Sequence, residues 1–344
     1  MSAIDCITNA EVPVPLETQG NRKARPQDAL RYDMDLPLRG TFYPLGYPVE
    51  VKTNDPNVLI AATESFGHRG VSRDSTPLQI HVGVSGDGGE TCPLEPTRRE
   101  YNHLYSLVAD VHNQALLDLK TCTSFAWINQ SALQNRLYFR YNFLEKMVYL
   151  LLGASLVTDI HAACVSKYER GLLLCGDSGA GKSTLAYACA RAGWTYTSDD
   201  TSYLINDSPE PRVIGHSHRI RFRPAARALF PELADCEITP RMEGKPSIEV
   251  TLDRLPVLHA SAEANVRSVI YLNRTPSSRA KLVSLPAGTA TERMKSELFS
   301  AGEIRTKHEQ MLDVFSKVPT YELQYSDLDD AILQLDRLTG AMAP

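Results

Sequence analysis

The sequence predicts an α/β (α+β) fold: a C-terminal core built on one strand–loop–helix unit, preceded by an N-terminal α+β module. Three observations carry that prediction. Gly171-Leu172-Leu173-Leu174-Cys175 is a short apolar run that reads as a buried strand. Gly176-Asp177-Ser178-Gly179-Ala180-Gly181-Lys182-Ser183-Thr184 fits G-x-x-x-x-G-K-[ST], a P-loop whose small residues let backbone N–H groups close around a phosphate. The segment from Leu185 to Arg191 is Ala-rich and helix-favouring, and Gly193 is placed to stop it.

The elements follow in chain order. Residues 1–38 are rich in Pro, Asn, Arg and Asp without periodicity, which predicts a flexible N-terminal arm. Residues 39–136 form the predicted accessory module. Within it Val49–Thr53 alternates as a strand, and Asp55-Pro56 starts a helix with Val58, Leu59 and Ala62 on one side. Pro77–Val84 alternates as a strand that turns at Ser85–Gly89, and more strands are predicted over 104–108, 115–119 and 124–128. The module reads as mostly antiparallel and holds no catalytic constellation; His103 and His112 fall on separate segments and give no support for a metal site.

The second domain is predicted over 137–344. A helix over 137–157 opens it, with Phe139, Phe143, Met147, Leu150 and Leu151 near helical spacing. Residues 159–165 are predicted to pair with 171–175 as a hairpin about a turn at 166–170. After the loop and its helix, Trp194–Thr197 reads as a strand that ends in Ser198-Asp199-Asp200, and Tyr203–Ile205 continues the sheet. Strands over 269–272 and 320–325, helices over 291–299, 303–315 and 327–338, and a loop at 285–289 complete the domain.

The loop's chemistry follows from its residue types. Lys182 would reach the β- and γ-phosphates of a nucleotide, Ser183 would hold Mg²⁺, and the helix N-terminus would add its positive end. Asp199 and Asp200 at a strand end suit metal binding and proton abstraction; Asp-Asp is also an ordinary cap for a turn. His161 would stand one strand from the phosphates and steady their charge, or serve only the strand start. Arg219, Arg221 and Arg223 alternate, so they share one face of a strand and would either clamp an anion or form a solvated basic edge.

Taken together, His161-Ala162, the 176–184 loop and Ser198-Asp199-Asp200 resemble the catalytic core of the HPr kinase/phosphorylase family, whose core is more distantly similar to that of phosphoenolpyruvate carboxykinases. The resemblance covers residues 158 to 205. It implies that Lys182 and Ser183 handle ATP phosphates and Mg²⁺, that Asp199 accepts the proton of a substrate hydroxyl, that Asp200 is its metal-side partner, and that His161 stands near the transferred phosphate. It further implies homo-oligomers. Two departures matter. Thr184 stands where the family usually has Glu, and the family's Ile-Arg-Gly-Leu-Gly-like run is replaced by His218-Arg219-Ile220-Arg221-Phe222-Arg223-Pro224. The phosphate acceptor, a protein Ser or a small-molecule hydroxyl, does not carry over, and neither does phosphorylase activity. Two other classes fit the same residues, an ATPase with water as acceptor and a nucleotide sensor without turnover. No base-reading motif separates ATP from GTP.

Composition narrows the field. The chain has 344 residues and a formal net charge of −5, which speaks against a dedicated nucleic-acid binder. Its seven cysteines are odd in number and show no C-x-x-C spacing, as expected of a reduced, cytoplasmic protein without a disulfide framework. The N-terminus lacks the pattern of a signal peptide, and the apolar stretch 147–157 is too short for a membrane span.

Overall fold

The computed structural model describes residues 35–341, apart from 69–71, 87–90, 239–245, 256–257, 276–278 and 299. Most of the predicted arm, and of the turn at 85–89, lies outside the described residues. The architecture is mixed α/β with several sheets. The chain divides into two compact units at Ser155/Leu156. The sequence pattern predicts a boundary at 136/137; the helices that follow residue 129 pack onto the first unit's own sheet.

The first unit is one seven-stranded sheet with helices. Its strands are β1 (Leu38–Phe42), β2 (Val49–Thr53), β3 (Leu78–Ser85), β4 (Thr97–Tyr101), β5 (Leu104–Val108), β6 (Gln114–Asp118) and β7 (Thr123–Asn129), in the order β1-β2-β3-β7-β6-β5-β4. The central pairs β2–β3 and β3–β7 are parallel and the outer pairs antiparallel. A parallel pair needs a crossover, and α1 (Pro56–Phe66) provides it between β2 and β3. Asp55 starts α1 by accepting the Asn57 N–H at 2.8 Å, with Pro56 in the first turn. The predicted helix over 137–157 is built from α2 (Gln130–Gln134), α3 (Arg136–Phe139), a π-turn over Arg140–Leu144 and α4 (Glu145–Ser155). It stops at Ser155 because β-branched Val157 and Thr158 begin the next strand.

The second unit is built on a ten-stranded sheet. Its strands are β8 (Val157–Ile160), β9 (Ala162–Lys167), β10 (Arg170–Cys175), β11 (Thr195–Ser198), β12 (Ser202–Ile205), β13 (Arg212–Ile214), and, after a separate ribbon of β14 (Arg219–Phe222) and β15 (Ile248–Thr251), β16 (His259–Ala260), β17 (Glu263–Arg274), β18 (Lys281–Ser284) and β19 (Thr320–Tyr325). Its helices are α5 (Lys182–Arg191), α6 (Thr289–Ser296), α7 (Gly302–Leu312) and α8 (Leu328–Ala341). The main path runs β16-β11-β9-β10-β17-β13-β12-β8, and β19 pairs with the C-terminal half of β17. The β9–β10 hairpin forms as expected. Its turn residues Tyr168 and Glu169 take φ of 52° and 60°, which a two-residue hairpin turn needs. The predicted strand over 159–165 breaks at His161, because β8 pairs with β12 whereas β9 pairs with β10 and β11.

The apolar run of β10 is explained by burial on both faces. Leu172 and Leu174 join Ala163, Val165, Ile270 and Leu272 in a core that includes residues of α5 and α8. Leu173 and Cys175 face the other way, toward Cys164, Val269, Met294 and Phe315. The ribbon adds Phe222 to the first of these cores, where Tyr187 of α5 meets it edge-on at 5.1 Å.

Candidate functional site

β10, β11, β17 and β19 run parallel, so their C-terminal ends lie along one edge of the sheet. β9 runs oppositely and begins at that edge, directly after His161. In such sheets the strand ends are where ligands bind. The 176–181 loop leaves β10 there and enters α5. A cleft of about 780 Å³ opens beside it, with His161, Lys182, Ser183 and Asp200 on its wall. Ser178, Gly179, Gly181 and Thr184 also line it; Gly176, Asp177, Ala180 and Asp199 are beside it without lining it.

The loop's glycines are used at specific points. Gly181 has φ of +101°, and a Cβ there would stand 2.7 Å from the Tyr325 hydroxyl oxygen. Tyr325, at the end of β19, donates to the Ala180 carbonyl at 3.1 Å and braces the loop. α5 starts at Lys182 without a capping side chain. Among the described residues, the N–H groups of Gly181, Lys182, Ser183 and Thr184 find no backbone acceptor. Four such donors at a helix start require water or an anion.

Lys182 is 6% exposed. Its ammonium donates to the Gly176 carbonyl at 2.6 Å and lies 3.0 Å from Nε2 of His161. Burial pushes its pKa below the ordinary lysine value, and the Asp200 charge opposes that shift. A lysine donating to Nε2 leaves the imidazole proton on Nδ1, which faces Asp200 Oδ1 at 3.8 Å. Lys182, His161 and Asp200 thus form one chain of polar groups along the cleft.

Asp199 is held differently. It is 7% exposed, and its Oδ2 accepts the Arg221 backbone N–H at 2.7 Å. Its Oδ1 faces the Tyr196 hydroxyl at 3.3 Å, but that hydroxyl has a single proton and a shorter bond, 2.9 Å, to the Arg219 carbonyl. Oδ1 is therefore the under-donated oxygen. Burial lifts the Asp199 pKa to about 6; the Arg221 N–H opposes the rise and the neighbouring Asp200 charge adds to it. Ser183 Oγ donates to the Asp199 carbonyl at 3.1 Å, which ties the start of α5 to the end of β11.

The basic strand resolves into separate roles. Arg219 and Arg221 reach Glu249 on β15 at 3.5 and 2.5 Å, and neither lines the cleft. Arg223, beyond the strand end, does line it. Arg274, Tyr325, Ser326 and Asp327 also reach the wall, and none of them is a candidate site residue by sequence pattern. The signal that would have found them is positional: Arg274 and Tyr325 are the last residues of β17 and β19, parallel to β10.

For a metal, the cleft offers Ser183 and Asp200, hard oxygen donors of the kind Mg²⁺ takes. Among the described residues no group of three or more His, Cys, Asp or Glu converges. No helix among the described residues is long and apolar enough to cross a membrane.

No family model matches the chain, and no curated protein matches it. Among solved structures it is similar to the Hpr(Ser) kinase/phosphatase from Coxiella burnetii, at 13% identity and a TM-score of 0.29, over 54% of this chain and 93% of that chain.

Proposed function

We propose that the second unit is an ATP- and Mg²⁺-dependent phosphotransferase that moves a γ-phosphate to a hydroxyl acceptor. The observation that carries the reading is the convergence, at one sheet edge, of an uncapped helix start, a buried lysine and two adjacent carboxylates. The free N–H groups of residues 181–184 bind the phosphates, and Lys182 leaves its Gly176 contact to neutralise them. Magnesium, when bound, supplies positive charge at the phosphates; Ser183 and Asp200 would hold it. Asp199 takes the acceptor's proton on Oδ1, and a pKa of about 6 leaves it ionised at neutral pH yet basic enough to act. His161 keeps Lys182 and Asp200 in register. Most of the rate then comes from positioning and charge stabilisation.

The test uses the full chain with γ-labelled ATP and Mg²⁺, wild type beside Lys182→Ala and Asp199→Asn, alone and then with pooled metabolites and a small-protein extract. Label moving to an acceptor in wild type, and in neither variant, supports the reading and names the substrate. Release of free phosphate alone makes it an ATPase. Binding without any transfer makes it a nucleotide sensor.

A further inference from the structure

Two arginines on the cleft wall, Arg223 and Arg274, stand apart from the others. Other arginines nearby are paired: Arg219 and Arg221 with Glu249, and Arg191 with Glu232 at 3.4 Å. Arg223 and Arg274 both line the cleft, yet among the described residues neither side chain has a hydrogen bond or an ion pair. An arginine left unpaired beside a lysine and a set of orphan N–H groups is a site for anionic oxygen.

Their positions differ in a way that assigns them. The sheet order places β9 and β11, with His161 and Asp199, on one side of β10, and β17 and β19 on the other. Arg274 ends β17, and its Cδ lies 3.8 Å from where a Cβ on Gly181 would stand, so its stem rests against the loop. Arg223 follows β14 by one residue, and β14 is fixed to Asp199 through the Arg221 N–H. The two arginines therefore flank the loop, Arg223 on the carboxylate side and Arg274 on the opposite side. Asp327 and Asp329 share the wall, and Asp327 is engaged in accepting the Asp330 N–H at 2.9 Å at the start of α8.

We propose that Arg223 and Arg274 grip a nucleoside triphosphate from opposite sides of the 176–181 loop, Arg223 at the terminal phosphate and Arg274 at the phosphates seated in the loop. The assignment rests on the phosphotransferase reading, because it is Asp199 as base that puts the terminal phosphate on the carboxylate side. It predicts that the two residues discriminate nucleotides differently. Arg223 separates ATP from ADP; Arg274 does not.

The experiment is calorimetric binding of ATP, ADP and AMP with Mg²⁺ to the full chain, for wild type, Arg223→Gln, Arg274→Gln, Lys182→Ala and the exposed control Arg254→Ala. Arg223→Gln weakens ATP about tenfold or more and ADP less than about threefold, the loss expected for one charge-assisted contact. Arg274→Gln weakens ATP and ADP alike by about tenfold. Arg254→Ala matches wild type. Among the described residues neither arginine has a hydrogen-bond or ion-pair partner to lose, so melting temperatures stay with wild type; if a Gln variant melts lower, the Lys variants repeat the comparison with charge retained. Arg223→Gln weakening ATP and ADP equally, or Arg274→Gln leaving ADP untouched, overturns the proposal. If Lys182→Ala abolishes binding while both arginine variants bind as wild type does, the grip fails and the phosphotransferase reading survives. If wild type binds no nucleotide, both fail.

Discussion

Replacing Asp199 by Asn should make the second unit more stable at neutral pH. The carboxyl is 7% exposed, and its pKa rises from an ordinary 3.8 to about 6, mainly through burial. The native state therefore favours the protonated form more than the unfolded chain does. At 1.4 kcal/mol per pH unit, holding the charge at pH 7.5 costs roughly 3 kcal/mol. The sign follows from the folded pKa lying above the unfolded one: the stability is present in full below about pH 4 and is lost as the pH climbs through 6. Asparagine keeps the geometry. Its carbonyl can accept the Arg221 N–H, and its amide can donate to the Tyr196 hydroxyl oxygen. The assay is urea unfolding at pH 7.5 and pH 4.5 in a Trp127→Phe background, which leaves Trp194, fully buried in the second unit, as the reporter. The expected result is a variant more stable by about 2–3 kcal/mol at pH 7.5 and by less than about 1 kcal/mol at pH 4.5. A gap that ignores pH, or a variant weaker than wild type at pH 7.5, would refute the claim that burial controls this carboxyl.

If Asp199 is the base, kcat/KM falls about tenfold per pH unit below pH 6 and is flat above it, a break that a pH–rate profile detects and that Asp199→Asn removes. Gly181→Ala forces an L-residue to φ of +101° and drives a methyl to 2.7 Å from the Tyr325 hydroxyl; it should cost about 1–2 kcal/mol of stability and at least about tenfold in nucleotide affinity, read by thermal melting and calorimetry. Asp55→Ala removes the cap of α1 and should lower the first unit's stability by about 1 kcal/mol in urea unfolding, with nucleotide binding unchanged.

Local signals in the sequence were dense around the loop and sparse elsewhere. The strand over 171–175, the loop and the helix from Lys182 are readable because each depends on near neighbours: apolar continuity, glycine placement and alanine content. His161, Lys182 and Asp200 come together as their order along the chain suggests, since β9, β10 and β11 are sheet neighbours. What the sequence hides is long-range pairing. That Arg274 and Tyr325 share the loop's edge depends on β17 and β19 lying parallel to β10, and nothing near either residue encodes that register. The arginine strand shows a second limit. Alternation put Arg219 and Arg221 on one face, which is correct, but the residue waiting on that face is Glu249, supplied by a partner strand far along the chain. Arg223 escapes because the strand ends at Phe222.

The cost of the site is met by its surroundings. An uncapped helix, a lysine with a depressed pKa and a carboxyl with a raised one are each unfavourable to the fold. They persist because the backbone around them has little room to relax. A Cβ on Gly215 would stand 2.3 Å from the Thr197 carbonyl, so the chain entering the arginine strand passes directly over the end of β11. That close approach puts the Arg221 N–H within reach of Asp199, and Ser183 fixes the same strand end from α5. Leu172, Leu174, Tyr187, Phe222 and Ile270 lie in one core, so ribbon, helix and sheet cannot shift independently. Asp199 can be destabilised by burial because three packed elements hold it in place, and that same burial gives it the basicity the proposed reaction needs.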